Sequence, residues 1–93
     1  MNLKLGIEGK VAVITGGGVG IGKETARKLA LAGVKVVIAA RTASKLEAAA
    51  QQLRDETGGE IIAVPTDTTS KESVQALVDI AVEKFGAVHI LVN

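Results

Sequence analysis

The sequence has 93 residues, 47% hydrophobic and 23% charged, with 11 basic and 10 acidic residues and a net charge of +1. That is the balance of one small folded domain and not of a disordered chain. Near-neutrality, with 1% aromatic residues, leaves neither the basic footprint nor the stacking platform that nucleic acid requires.

There is no cysteine, which excludes disulfides and thiolate metal sites. Glu8 and Lys10 interrupt the apolar character of the start, so Met1–Lys10 does not read as a signal peptide. The apolar run Val11–Ile14 is too short to cross a bilayer. The expected protein is soluble and cytoplasmic, with no membrane partner.

Short β-branched runs alternate with longer helical patterns, as in βαβ units with a parallel sheet. Val11–Thr15 is the first strand, apolar without alternation, as suits a strand covered on both faces. After a glycine-rich turn, a helix is predicted from about Gly20 to Ala32. Ile21, Thr25 and Leu29 form its inner face, with Ala26 and Ala30 beside them, and Gly33 ends it. Lys35–Ala40 is the second strand.

Ser44 and Glu47 have the spacing of a capping box. Leu46, Ala49, Ala50 and Leu53 then recur at helical spacing until Gly58-Gly59 breaks the pattern. Glu60–Val64 is the third strand and Pro65 ends its ladder. Thr69 or Ser70 caps a third helix with Val74, Leu77, Val78 and Ala81 inward, Phe85 one turn on and Gly86 as terminator. Val88–Val92 is a fourth strand, followed by Asn93.

The order βαβαβαβ is that of an α/β, three-layer Rossmann-type parallel sheet. Right-handed crossovers with one reversal give the strand order 3-2-1-4, with two helices on one face and one on the other. Residues 1–93 then form a single dinucleotide-binding segment. The fourth strand is left as an apolar edge, so the sheet is expected to be incomplete and the segment to be a piece of a longer single-domain enzyme.

The turn Thr15–Gly22 reads TGGGVGIG, between a strand and a helix. Free amide groups and the helix dipole at such a place favour a pyrophosphate, and glycines let the backbone approach it. The common G-x-G-x-x-G spacing fails, because Gly16 and Gly18 would require glycine where Ile21 stands. The pattern that fits is T-G-x-x-x-G-x-G, with Thr15, Gly16, Gly20 and Gly22. A P-loop reading of Gly17 to Lys23 fails at Glu24, where magnesium needs a hydroxyl and a carboxylate would repel the phosphates.

With these motifs in order, the chain resembles the classical short-chain dehydrogenase/reductase family along nearly its whole length. Glu8–Gly16 is similar to the family's entry into the first strand, and Thr15–Gly22 to its glycine motif. Asp67-Thr-Thr is similar to its acidic motif, and His89–Asn93 to the lead into N-N-A-G. The resemblance implies hydride transfer between a nicotinamide cofactor and an alcohol, a carbonyl or an activated alkene. It implies that Gly16, Gly18, Val19, Gly20, Ile21 and Gly22 meet the diphosphate and its ribose. It implies that Asp67, with Thr68 beside it, accepts from the adenine amino group, and that Asn93 lines the ribose side and braces the sheet. Asp67 also reads as a turn or cap residue, and Asn93 as a strand end.

The second strand ends Ala39-Ala40-Arg41, with an arginine where enzymes using NAD place a carboxylate. A planar bidentate donor without a carboxylate favours NADP over NAD. NADP-using members often carry a second basic residue just before the middle glycine, and here that position is Val19.

The family's catalytic Tyr-x-x-x-Lys pair lies beyond this stretch, and the chain has no tyrosine. No catalytic residue is therefore assigned, and the 93 residues alone are expected to be inactive. The single histidine, His89, reads as a strand-start residue and not a base. No metal site is expected. The partners expected of the full-length protein are the nicotinamide dinucleotide, a small-molecule substrate and further copies of itself. The stretch to Arg41 is somewhat similar to enoyl- and dienoyl-CoA reductases, with sugar, steroid and acyl-carrier-linked substrates equally open. The alternative is a stand-alone nucleotide-binding or interaction module without catalysis.

Overall fold

Runs rich in valine and isoleucine disfavour helix and suit a pleated surface. In the structure, a computed structural model describing residues 6–16, 18 and 20–93, each of the four expected runs contributes a strand. The elements are β1 (Val11–Thr15), α1 (Gly20–Leu31), β2 (Lys35–Ala40), α2 (Ala43–Thr57), β3 (Ile61–Pro65), α3 (Lys71–Phe85) and β4 (Ile90–Val92).

All pairings are parallel and the spatial order is β3-β2-β1-β4. Val13 stands opposite Val37 on one side and Leu91 on the other. Val37 in turn faces Ile62. The expected α/β, three-layer Rossmann-type order is therefore present.

Alternate residues of each strand face opposite layers. Ala12, Ile14, Val36 and Ile38 pack under α1 and α2, against Ala26, Ala30, Leu46, Ala49, Ala50 and Leu53. Val13, Val37, Ala39 and Val64 pack against Leu77 and Ala81 of α3. Both faces are buried, which explains why the strands are apolar without alternation. Burying a side chain of leucine size contributes about 1.5–3 kcal/mol, so each layer is held mainly by its few large residues. The alanines allow helix and sheet to approach closely.

Several local expectations are corrected. The capping box at Ser44 and Glu47 does not form. The helix already begins at Ala43, Thr42 is its N-cap, and Thr42 makes no side-chain capping bond. Glu47 instead accepts from Arg54 Nη2 at 2.9 Å. In α3 the cap is Ser70, whose hydroxyl accepts from the Ser73 amide.

Ile21 is not on the inner face and is 89% exposed. It sits in the first turn of α1, beyond the carboxyl end of the sheet, where no layer covers it. Val74 is likewise exposed, and Val78 half-buried. α1 stops at Leu31, one residue short of the expected Ala32, and β3 starts at Ile61.

β4 is shorter than expected, because only Ile90, Leu91 and Val92 find register with β1. His89 continues the join in another way: its amide donates to the Val11 carbonyl at 2.9 Å, and its Nδ1 accepts from the Val11 amide at 3.0 Å. The expected strand-start role of His89 thus has a definite hydrogen-bonding form.

Candidate functional site

In a parallel sheet the carboxyl ends of all strands share one edge, and ligands bind in the crevice where the strand order reverses. Here that point lies between β1 and β4. The Gly16 amide donates to the Ala39 carbonyl at 2.7 Å, so the chain stays laddered to β2 for one residue past β1 before it turns. That bond sets the glycine turn beside the end of β2.

Gly16 and Gly20 have φ of +73° and +58°, the left-handed region that favours glycine. A Cβ built at either would meet nothing within 4 Å, so both backbones face open space. The first turn of α1 contains no acidic residue, which leaves its positive end uncancelled. Gly22 is half-buried within α1. Val19 lies outside the described residues.

A cavity of about 260 Å³ opens between the glycine turn and the start of α2. Its lining includes Gly16, Gly18, Arg41, Thr42 and Lys45, and contains no carboxylate. Leu46 forms part of its wall: a Cβ at Gly18 would lie 3.5 Å from Leu46 Cδ1, an ordinary van der Waals contact. Thr42, Lys45 and Leu46 were not identified as site residues from the sequence. The available signal was the spacing of Arg41 and Lys45, four residues apart, but its meaning depends on where α2 begins.

Asp67 follows β3 and organises the next turn. Its Oδ1 accepts from the Thr69 amide at 2.9 Å and the Thr69 hydroxyl at 2.6 Å. Its own amide donates to the Ser73 hydroxyl at 2.8 Å. Arg41 Nη2 reaches the same Oδ1 at 3.2 Å. The Thr69 donors first, and Arg41 after them, hold the Asp67 carboxyl below the usual aspartate range. Asp67 is therefore the turn residue the sequence suggested. The contacts to its carboxylate all use Oδ1, which leaves Oδ2 without a donor among the described residues.

Thr68 and Asn93 lie on the other side of β1. With Thr15, Leu77 and Leu91 they line part of a second cavity of about 280 Å³. The Thr15 hydroxyl is 3.3 Å from the Val92 carbonyl and 3.4 Å from Asn93 Oδ1. The expected residues thus gather at one sheet edge but in two groups, with Gly16, Gly18 and Arg41 on one side and Thr68 and Asn93 on the other. The ion pair with Arg41 connects Asp67 to the first group. Ile21 stands apart, exposed on α1.

Among the described residues, no group of three or more His, Cys, Asp or Glu is placed to hold a metal ion, and no helix is long and apolar enough to cross a membrane.

The geometry agrees with known proteins. A short-chain dehydrogenase/reductase of Aspergillus oryzae is 42% identical over 90 residues, covering 97% of this chain and 34% of that protein. An uncharacterized oxidoreductase of Staphylococcus aureus is 45% identical over 84 residues, covering 90% and 35%. The chain thus spans about a third of the length of the curated relatives it matches.

Among solved structures, L-sorbose reductase from Gluconobacter frateurii, complexed with NADPH and L-sorbose, superposes with a TM-score of 0.92 at 40% identity. The match covers 98% of this chain and 35% of that one. A short-chain dehydrogenase/reductase from Burkholderia phymatum in complex with NAD gives 0.87 at 46% identity, covering 91% and 30%. The family model for short chain dehydrogenases matches residues 10–93. On that match, this chain belongs to the short-chain dehydrogenase family.

Proposed function

We propose that residues 1–93 form the nicotinamide-dinucleotide-binding segment of a longer, single-domain oxidoreductase that prefers NADP. The observation that carries this reading is the cavity beside the glycine turn, bordered by Arg41 and free of any carboxylate. A carboxylate there would accept from a ribose 2′-hydroxyl and repel a 2′-phosphate, whereas a guanidinium attracts one.

The residues suit the cofactor. Gly16 and Gly20 offer open backbone to the diphosphate, with Gly18, Val19, Ile21 and Gly22 completing that stretch. Arg41 takes the 2′-phosphate. The vacant Oδ2 of Asp67 would accept from the adenine amino group, with Thr68 beside it, and Asn93 would line the ribose side. Bound nicotinamide supplies or accepts a hydride; the task of this segment is to bind and orient it. L-sorbose reductase, which binds NADPH, and the Burkholderia phymatum protein, which binds NAD, support a nicotinamide ligand.

The whole protein then acts on a small-molecule alcohol, carbonyl or activated alkene in the cytoplasm and assembles from identical copies. The 93 residues have no tyrosine to serve as the family's acid–base group, so this segment binds the cofactor without turning it over. Calorimetric titration with 2′-AMP and 5′-AMP tests the reading. Tighter binding of the 2′-phosphorylated ligand is expected, and equal affinity removes Arg41 from its role.

A further inference from the structure

β4 is joined to the sheet by a short seam. Only Ile90, Leu91 and Val92 are in register with β1, and no other strand pairs with β4 among the described residues. At the amino end of the seam the last tie is a side chain. The His89 amide donates to the Val11 carbonyl, and the Val11 amide donates to Nδ1 of the same histidine, 3.0 Å away. His89 closes the seam with both its backbone and its ring.

The two ends of that last bond sit in different surroundings. Val11 is 1% exposed, so its amide has no water to turn to. A buried amide left without an acceptor is costly. His89 is exposed, so its ring exchanges protons with solvent. An imidazole nitrogen accepts only while it carries no proton, so the bond requires the neutral ring with its hydrogen on Nε2. Protonation puts a hydrogen on Nδ1 as well, and two donors then face each other.

The neighbouring charges do not rescue a protonated ring. At this edge stand Glu8 and Lys10 before β1, Lys35 at the head of β2, Glu60 ahead of β3, Lys28 in the last turn of α1, and Glu83 and Lys84 at the end of α3. Glu60 is paired with Lys35 at 3.8 Å. No carboxylate forms an ion pair with His89 among the described residues.

We propose that His89 is an acid-sensitive latch, which when neutral locks the amino end of β4 to β1 and when protonated releases it. The neutral ring is the form the fold uses. The latch is therefore complete at pH 8 and is lost as pH falls through about 6.5, where an unfolded histidine takes up its proton. The other end of β4 carries Asn93, beside Thr15, so the latch acts on a strand that borders the proposed cofactor site. It holds whichever cofactor binds there.

The chain has one histidine, so its ring signals are unambiguous. Long-range 1H–15N NMR spectra at pH 8 should place the ring hydrogen on Nε2. Urea unfolding is then compared at pH 8 and pH 5.5, a window above the ordinary carboxylate range. The unfolding constant should be about tenfold larger at the lower pH, the loss of one buried hydrogen bond. His89→Asn presents an amide oxygen close to the position of Nδ1 and cannot take up a proton. It should retain the stability seen at pH 8 and lose the dependence on pH. His89→Leu has no acceptor and should be equally weak at both pH values.

A ring hydrogen on Nδ1 at pH 8 overturns the proposal. So does an unaltered protein whose stability is as flat across the window as that of His89→Asn. If His89→Leu does not fold, the NMR spectra and the comparison with His89→Asn still decide.

Discussion

Arg41 Nη2 lies 3.2 Å from Asp67 Oδ1, so the ends of β2 and β3 are tied by an ion pair across the edge of the sheet where the cofactor is proposed to bind. Both side chains are largely exposed, at 71% and 41%, and such a pair is weak in solvent. It is therefore readily exchanged, and Arg41 can turn to a phosphate without disrupting the fold. The Thr69 donors keep Asp67 in place when it does.

Because its donors hold the Asp67 carboxyl below the usual range, its stabilising contribution is fully present at neutral pH. That contribution shrinks as pH falls below about 4, where an unfolded aspartate takes up its proton, and is gone once the folded carboxyl is protonated too. Asp67→Asn should accordingly be the less stable protein at pH 7. Urea unfolding of both proteins across pH 7 to pH 3 checks the sign: the gap between midpoints should close on acidification. A gap that widens towards low pH contradicts the assignment.

The two helix caps should respond differently to alanine. Ser70 accepts from the Ser73 amide, so Ser70→Ala should cost about 1 kcal/mol. Thr42 makes no such bond, so Thr42→Ala should stay within about 0.5 kcal/mol. Denaturant midpoints of the two variants, compared side by side, decide the matter.

Gly18 allows folding and binding to be separated. Its φ is not in the left-handed region, and an added Cβ makes only ordinary contact with Leu46. Gly18→Ala should therefore shift the unfolding free energy by about 1 kcal/mol or less. The methyl group stands at the wall of the cavity, so dinucleotide affinity should fall by about tenfold or more. Leu53→Ala should do the reverse. Leu53 is fully buried between α2 and the sheet, and its truncation should cost about 2–5 kcal/mol.

β4 leaves Leu91 62% exposed, and no strand pairs with its outer side among the described residues. Unpaired apolar edges promote association. Leu91→Lys should lower the concentration-dependent light scattering of the 93-residue protein. Its unfolding midpoint should hardly change, because little buried contact is lost.

Much of this was legible in the residues because it is local. Valine-rich runs, alanine and leucine at helical spacing, and terminating glycines each act over a few positions. They were enough for the element order and, with the right-handed crossover, for the sheet. The glycine turn was legible for the same reason.

What was missed depends on where one element ends against another. Lys45 and Thr42 belong to the cavity only because α2 starts at Ala43, and a misplaced capping box at Ser44 hid that. Ile21 is exposed because the helix outruns the sheet, which no local pattern encodes. The pairing of His89 with Val11 spans 78 residues and follows from the register of β1 and β4.

The residues at or just past the strand ends repeat with an even stride: Thr15, Arg41, Asp67 and Asn93 stand 26 residues apart in the chain. Each stride contains one helix out and one strand back, and delivers one side chain to the same edge. The turns at Gly33, Gly58 and Gly86, where the three helices finish, all fall at the opposite edge. Length and chemistry are thereby assigned to different ends of the molecule. Residues inserted at the far turns would lengthen a loop and leave the four delivered side chains in step. A single residue inserted between a strand and the helix after it would displace a member of the site.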